Sequence, residues 1–453
     1  MIRLLVAAPA SGCGKTAVAC ALLHVLQEHG LAPCAFKCGP DYIDPMFHRA
    51  VLGIDSHNLD LFLGGDAQVR ALFARACRGH GAAVVEGAMG FYDGLGGVSD
   101  RASAWHLADT LNLPVLLVLP ARGASLTLAA QLRGLRDFRP DSHLAGVILN
   151  ECSPALCRTL APVLEGETGL PVLGCLPRME EARIESRHLG LLTAQEIADL
   201  DVRLEKLARA LEENVDLPRL LMLFDGPAPE TEDEPKSAPA RCRVAVARDE
   251  AFCFCYADTL ETLTALGAEP VFFSPLHDAA LPSNIGGLYL PGGYPELYAR
   301  QLSENAPMRG AVAWALREGL PTVAECGGYL YLCASLSAPE GERFPMAGVL
   351  SGDAENTGSL RRFGYAELHA QEDSLLFRAG ERFPVHEFHY WDTTDSGTAF
   401  RLEKPLSGKS WCEGFAGETL YAAFPHLYFA GYPVLAERFV RAAEEYGAKH
   451  GTA

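Results

Sequence analysis

The sequence predicts two α/β domains in tandem, each built on a parallel sheet with helices on its faces. Short apolar runs alternate with helical patterns along both halves, which is how strands buried on two faces read. At 453 residues the chain exceeds one ordinary core. Between the halves, GPAPETEDEPKSAPA (226–240) has no apolar periodicity and reads as a linker. The expected boundaries are therefore 1–225, a linker at 226–240, and 241–453.

In the first half the strand signals are IRLLVAA (2–8), APCAFK (32–37), AAVVE (82–86), PVLLVLP (114–120) and AGVILN (145–150). Between the first two, Val18, Leu22, Val25 and Leu26 recur at helical spacing and Gly30 follows as a stop. After the linker the alternation restarts with CRVAVA (242–247), EPVFFS (269–274), GGLYLPGG (286–293) and LPTVAE (320–325). Thirty-eight basic against 57 acidic residues give a net charge of -19, so no nucleic-acid partner is expected. The opening MIRLLVAAPA reads as a first strand rather than an export signal, and no run is long enough to span a bilayer. Fourteen cysteines in such a chain imply reduced thiols, hence a cytoplasmic protein away from membranes. Cys34/Cys38 and Cys253/Cys255 lack zinc-site spacing and read as small buried hydrophobes.

The first strand leads into APASGCGKT (8–16) and at once into a helix. In such a turn Ser11, Gly12 and Gly14 present backbone N–H groups to an anion, Lys15 reaches the outer phosphates, and the Thr16 hydroxyl can bind Mg²⁺. The strict phosphate-loop pattern has glycine where Pro9 stands, but the strand-turn-helix context is the required one. Two acidic clusters follow at strand ends, KCGPDYIDP (37–45) and EGAMGFYDG (86–94). Mg²⁺ takes carboxylate and phosphate oxygens, which selects Asp41 and Glu86 as metal candidates; turn formation and helix capping compete for the loop aspartates Asp44 and Asp93.

In VAECGGYLYL (323–332) a strand ends at Glu325 and Cys326-Gly327-Gly328 opens a helical pattern, an elbow that thrusts a side chain out at the top of the sheet. A helix N-terminus and an imidazole would lower such a thiol toward a working thiolate. HEFHY (386–390) and AAFPHLYF (422–429) offer the imidazoles, with His426 placed by the last strand. LPGGYPELY (290–298) supplies a glycine pair, Gly292 and Gly293, suited to an oxyanion hole or equally to an ordinary turn.

A chain carrying SGCGKT, GPDYIDP and EGAMGFYDG, then ARDEAFCF (247–254), FFSPL (272–276), PGGYPELY and AECGGYLYL, resembles the cobyrinate a,c-diamide synthases along nearly its whole length. SRHLGL (186–191) and HEFHY look like motifs of the same cobalamin-pathway glutamine amidotransferases. The resemblance implies a P-loop, dethiobiotin-synthetase-like ATPase domain followed by a class I-type glutaminase domain. It implies ATP bound by Ser11, Gly12, Gly14, Lys15 and Thr16, Mg²⁺ on Thr16, Asp41 and Glu86, and a tetrapyrrole acetate held by Tyr42, Asp44 and Asp93. Cys326 would attack glutamine, His426 would act as its base, and N–H groups near Gly292, Gly293 and Gly327 would hold the oxyanion. Familiar class I triads carry Glu two residues after the His; position 428 is Tyr, so a dyad is expected. Cobyrinic acid or a related tetrapyrrole, L-glutamine and ATP are the implied partners, ammonia passing between the two sites, and a homodimer is compatible with them. Hydrogenobyrinate and nickel sirohydrochlorin are rival macrocycles. A P-loop partitioning or metal-insertion ATPase is the rival of another class, and it would leave the cysteine elbow idle.

Overall fold

The structure, a computed structural model, describes residues 1–182, 186–187, 190–191, 197, 199–230 and 238–451. The chain divides into two compact units, Met1–Glu234 and Pro235–Ala453. Part of the expected linker, 231–237, lies outside the described residues.

In the first unit the strands are β1 (Ile2–Ala7), β2 (Pro33–Cys38), β3 (His57–Leu59), β4 (Ala82–Glu86), β5 (Val115–Pro120), β6 (Leu144–Asn150) and β7 (Val172–Leu176). They form one sheet in the order β3-β2-β4-β1-β5-β6-β7, and every pairing is parallel. Its helices are α1 (Lys15–Glu28), α2 (Asp44–Leu52), α3 (Gly65–Ala76), α4 (Ala104–Leu111), α5 (Thr127–Asp137), α6 (Pro154–Thr168), α7 (Leu200–Asn214) and α8 (Leu217–Phe224). Alternation along β1 explains its unbroken apolar run: Leu4 and Val6 pack with Val18, Leu22, Leu211 and Phe224, while Leu5 and Ala7 pack with Phe73, Leu107, Leu132 and Leu160. Register then sets up chemistry. Val6 pairs with Glu86 and Lys37 pairs with Glu86, so β1, β2 and β4 end level with one another. The SRHLGL motif gives two-residue strands, β8 (Ser186–Arg187) and β9 (Gly190–Leu191); His188 and Leu189 lie outside the described residues.

The second unit contains β10 (Cys242–Ala247), α9 (Ala257–Ala265), β11 (Ala268–Phe273), β12 (Gly287–Leu290), α10 (Ala299–Glu304), α11 (Ala306–Arg317), β13 (Thr322–Glu325) and α12 (Gly327–Leu332). There follow β14 (Ser335–Ser337), β15 (Arg343–Pro345), β16 (Asp353–Ala370), β17 (Arg382–Thr393), β18 (Phe400–Glu403), β19 (Ser410–Glu413), β20 (Phe415–Gly417), β21 (Leu420–Ala423) and α13 (Pro433–His450). One sheet runs β11-β10-β12-β13-β21-β20 and is parallel except at β20. A second, largely antiparallel sheet runs β15-β14-β16-β18-β19, with β17 on β16. It modifies the expectation of helices alone on both faces: Leu368, Val385 and Leu402 of this sheet share a core with Val244, Val246 and Tyr421. Among the described residues no helix is long and apolar enough to cross a membrane.

Candidate active site

The turn between β1 and α1 is closed by Gly14 at φ +91°; a Cβ there would lie 2.2 Å from Asn150 Nδ2, which donates to Cys13 O at 2.9 Å from the end of β6. Glycine is therefore required for the loop to close over its neighbour. Gly12 at φ +76° and Ser11 are exposed at the tip. The loop after β4 is laced to this turn, Gly87 N–H donating to Val6 O and Phe91 N–H to Ala8 O, both at 2.9 Å. Lys15 is buried in the seam, its Nζ donating to Ala10 O at 3.0 Å and Met89 O at 2.6 Å. Burial, then the charge of Lys37, lowers its pKa.

Below the turn sits a compact ionic cluster. Thr16 Oγ1 donates to Glu86 Oε1 at 2.7 Å and lies 3.4 Å from Asp44 Oδ1. Lys37 Nζ bonds Asp44 Oδ2 and reaches Glu86 Oε1 at 3.1 Å. His48 Nε2 meets Glu86 Oε2 at 2.9 Å, and its Nδ1 meets Ser56 Oγ at 3.0 Å. Burial pulls Lys37 down, but Asp44 and Glu86 outweigh it and hold the ammonium well above its usual pKa. Glu86 stays ionised against its burial because Lys37, His48 and Thr16 stabilise the charge, whereas burial and the neighbouring acids Asp41 and Glu86 push Asp44 up.

Of the acids expected around the metal, Glu86 touches Thr16, but Asp41 has Oδ1 engaged by the N–H groups of Ile43 and Asp44 at 2.8 and 3.1 Å, opening α2. Asp44 is the second acid at Thr16. Asp93 Oδ2 accepts the Gly90 N–H at 3.0 Å within its loop, and Tyr42 is half-buried beside Asp41. Sequence reasoning passed over Lys37 and His48. A lysine closing the apolar run APCAFK was the available signal for the first, and the i, i+4 spacing from Asp44 for the second.

In the second unit Cys326 has φ +45° and ψ -101°, a strained conformation for a residue with a side chain, between β13 and α12. Its N–H donates to Ala423 O and its carbonyl accepts from Leu330 N–H, both at 2.9 Å. The expected exposure of the thiol is corrected: Cys326 is 5% exposed, packs in the core, and its Sγ lies 3.8 Å from Phe388 O. Burial first, then Glu296, pushes the thiol up, so at rest it is a thiol and not the anticipated thiolate.

The glycines bring the remaining parts together. A Cβ on Gly327 would lie 3.0 Å from Gly293 N and 3.3 Å from Gly292 C; one on Gly292 would lie 2.5 Å from His426 Cε1. Only without side chains can the elbow, the 292–293 turn and the imidazole approach so closely. The backbone of His426 pairs with that of His386, N–H to O at 2.9 Å. His389, the other imidazole of HEFHY, is stacked on Phe424 with centroids 3.8 Å apart and has Nδ1 on Trp391 O at 2.6 Å.

Burial lowers His426 and His386 to about 3, with His389 and His426 respectively adding to it, and raises Glu325 to about 8. The histidines bind protons in the unfolded chain up to pH 6.5 but not in the fold, so their contribution is full above 6.5 and lost as pH falls toward 3. Glu325 works oppositely: its contribution is full below 4.5 and lost as pH rises to about 8. Scanning calorimetry is expected to find a mildly acidic stability optimum, and Glu325→Gln is expected to flatten the alkaline decline.

Residues 4–192 match the family model described as a CobQ/CobB/MinD/ParA nucleotide binding domain, and residues 243–434 match a CobB/CobQ-like glutamine amidotransferase domain. The cobyrinate a,c-diamide synthase of Caldanaerobacter subterraneus subsp. tengcongensis is 36% identical over 450 residues, 98% of this chain and 99% of its own. That of Clostridium acetobutylicum is 39% identical over 437 residues, 95% and 98% of the two chains. That of Gloeobacter violaceus is 39% identical over 450 residues, 97% and 96%. A glutamine amidotransferase match over the second half sets aside the reading in which that half only binds partners. The protein is a glutamine-dependent amidotransferase ligase with a nucleotide-binding domain, and the chain belongs to the cobyrinate a,c-diamide synthase family.

Proposed function

We propose that this protein converts cobyrinic acid to its a,c-diamide, amidating the two acetates in turn at the cost of one ATP and one glutamine each. The observation that carries this reading is similarity over 95% or more of the chain to relatives named for that reaction, spanning both sites. Hydrogenobyrinate and nickel sirohydrochlorin would use the same chemistry, but none of the relatives quoted is named for them. The working domains are taken as 1–225 and 241–453, joined by the 226–240 linker.

A carboxylate oxygen is a poor leaving group, so the acetate needs activation before ammonia can displace it. Transfer of the γ-phosphoryl of ATP to that oxygen releases ADP and gives an acyl phosphate; ammonia adds at the carbonyl carbon, and phosphate leaves with the former carboxylate oxygen. The turn at Ser11, Gly12 and Gly14 cradles the phosphates, and Lys15 exchanges its two carbonyl partners for phosphate oxygens. Thr16, Glu86 and Asp44 offer a hydroxyl and two carboxylates around a spot that Lys37 already supplies with positive charge, a donor set suited to Mg²⁺; Asp41 keeps its second oxygen for the same ion. When bound, Mg²⁺ would neutralise charge on the phosphates. Tyr42 and Asp93, with Asp44 shared, orient the acetate.

Ammonia arises in the second unit. Cys326 Sγ attacks the side-chain amide carbon of glutamine as its proton passes to His426, and the backbone near Gly292, Gly293 and Gly327 steadies the oxyanion. His426 returns the proton to the departing ammonia, and water then releases glutamate from the thioester. The acyl phosphate is tested with cobyrinic acid carrying ¹⁸O in its acetate carboxylates: one ¹⁸O in the inorganic phosphate per amide is expected. Unlabelled phosphate would overturn this route.

A further inference from the structure

The mechanism above leaves unused the buried carboxylate that directly precedes its nucleophile in sequence. Glu325 ends β13, directly before Cys326, and is 1% exposed. Both of its oxygens are held: Oε1 accepts the Leu427 N–H at 3.0 Å and Oε2 accepts the Tyr289 hydroxyl at 2.9 Å. Leu427 follows His426 in sequence, so the first of these bonds fixes the segment that carries the imidazole. Oε2 lies 3.8 Å from His426 Nδ1. The adjoining Cε1–Nε2 edge of the ring faces the Gly292 position, 2.5 and 3.4 Å from where its Cβ would be. One nitrogen thus addresses the carboxylate while the other lies toward the glycine turn packed on the elbow. Pairing of β13 with β21, Glu325 opposite Ala423, brings the carboxylate beside the segment that leads from the end of β21 to His426.

We propose that Glu325 is the positioning residue of the glutaminase centre, holding His426 with Nδ1–H toward its Oε2 and steadying the imidazolium formed when Nε2 takes the Cys326 proton. This rests on the reading of Cys326 and His426 as nucleophile and base. It supplies a third member that position 428, a tyrosine, does not. The separation of 3.8 Å is longer than a hydrogen bond and closes with a small turn of the ring, as catalytic contacts do when substrate is bound. The titratable groups facing Glu325 are Tyr289 from β12, Tyr421 from β21, Cys326 and His426. Burial opposes a lone charge on the carboxyl, which it raises to about 8, and on the imidazole, which it lowers to about 3. A carboxylate and an imidazolium formed together relieve each other.

Glu325→Gln separates this role from mere packing. Glutamine keeps an oxygen for the Leu427 N–H and an amide for the Tyr289 oxygen, but loses the anionic acceptor at Nδ1. In the full chain, kcat for glutamine hydrolysis is expected to fall about 10- to 100-fold, with KM for glutamine within about threefold. Ammonia-supported amidation is expected to stay within about twofold, and the pH midpoint for iodoacetamide alkylation of Cys326, followed on its peptide by mass spectrometry, to rise by about one unit. Unchanged kcat and an unchanged alkylation midpoint would overturn the proposal. Should the glutamine variant fail to fold, Tyr289→Phe carries the test: it removes the hydroxyl that steadies Oε2, and kcat is expected to fall several-fold at constant KM. Unaltered kcat there counts against the role. Retained glutamine hydrolysis in Cys326→Ala would instead bring down the underlying dyad, an outcome that Glu325 variants alone do not produce.

Discussion

Cys326→Ala is expected to lower glutamine-dependent amidation by at least about 10³-fold while ammonia-dependent amidation stays within about twofold of wild type. The asymmetry follows from where the thiol sits. It is the side chain at the strained elbow, and the glycines around it bring the 292–293 turn against that elbow and His426 against the turn. Alanine retains the Cβ and the same backbone demand, so the elbow survives and only the sulfur is lost. On the proposed route, free ammonia would bypass the glutaminase and react directly with the activated acetate. Product assays with each nitrogen source read the result directly. Equal loss of both activities would mean that the substitution unfolds the chain, and loss of neither would make Cys326 a packed thiol like Cys333 in the same core.

The second large effect is on stability. Lys37→Met is expected to destabilise the first unit by about 3–5 kcal/mol, because it removes the ammonium between two buried carboxylates. Methionine preserves the apolar stem and most of the packing. Glu86 keeps Thr16 and His48, while Asp44, already pushed up by burial, protonates and recovers part of the cost. In a unit of this size the loss corresponds to a melting temperature lower by roughly 6–20 °C, read by scanning calorimetry of the full chain. Added Mg²⁺ is expected to restore more of the variant's stability than of the wild type's, since a divalent cation among the same oxygens replaces the missing charge. An unchanged melting temperature would show that Lys37 neutralises nothing.

Much of the candidate site was legible in the primary structure because its residues sit where strands stop. The glycines of the first turn, Lys15 and Thr16 opening α1, Glu86 closing β4 and the cysteine elbow all lie at strand ends or at the helix starts that follow them, where local pattern and position coincide. What escaped was whatever depends on partners distant in sequence. Lys37 looked like the polar end of an apolar run, and its pairing with Glu86 comes from the register of β2 on β4. Glu325 looked like the last residue of a strand; its relation to His426 requires β21 beside β13. The same limit applies to the fold. His57-Asn58-Leu59 is too short to announce β3, and Gly174 interrupts the apolar run of β7. The antiparallel sheet of the second unit was missed because β16 is mostly polar and pairs with β17 through two register shifts, at Asn356/Arg361 and Arg361/Gly364, which break the two-residue alternation. Asp41 and Asp44 show a further ambiguity: both fit a loop acid, and only the turn into α2 decides which one has an oxygen tied up by backbone N–H groups.

The most direct test of the account supplies the purified protein with cobyrinic acid, ATP, Mg²⁺ and glutamine labelled with ¹⁵N in its amide, and follows the corrinoid by mass spectrometry together with ADP and glutamate. The expected result is a diamide carrying two ¹⁵N atoms, formed through a monoamide, with one ADP and one glutamate per amide. An unchanged cobyrinic acid, beside ready amidation of hydrogenobyrinic acid or nickel sirohydrochlorin, would contradict the assigned substrate; no amidation of any of the three would contradict the account as a whole.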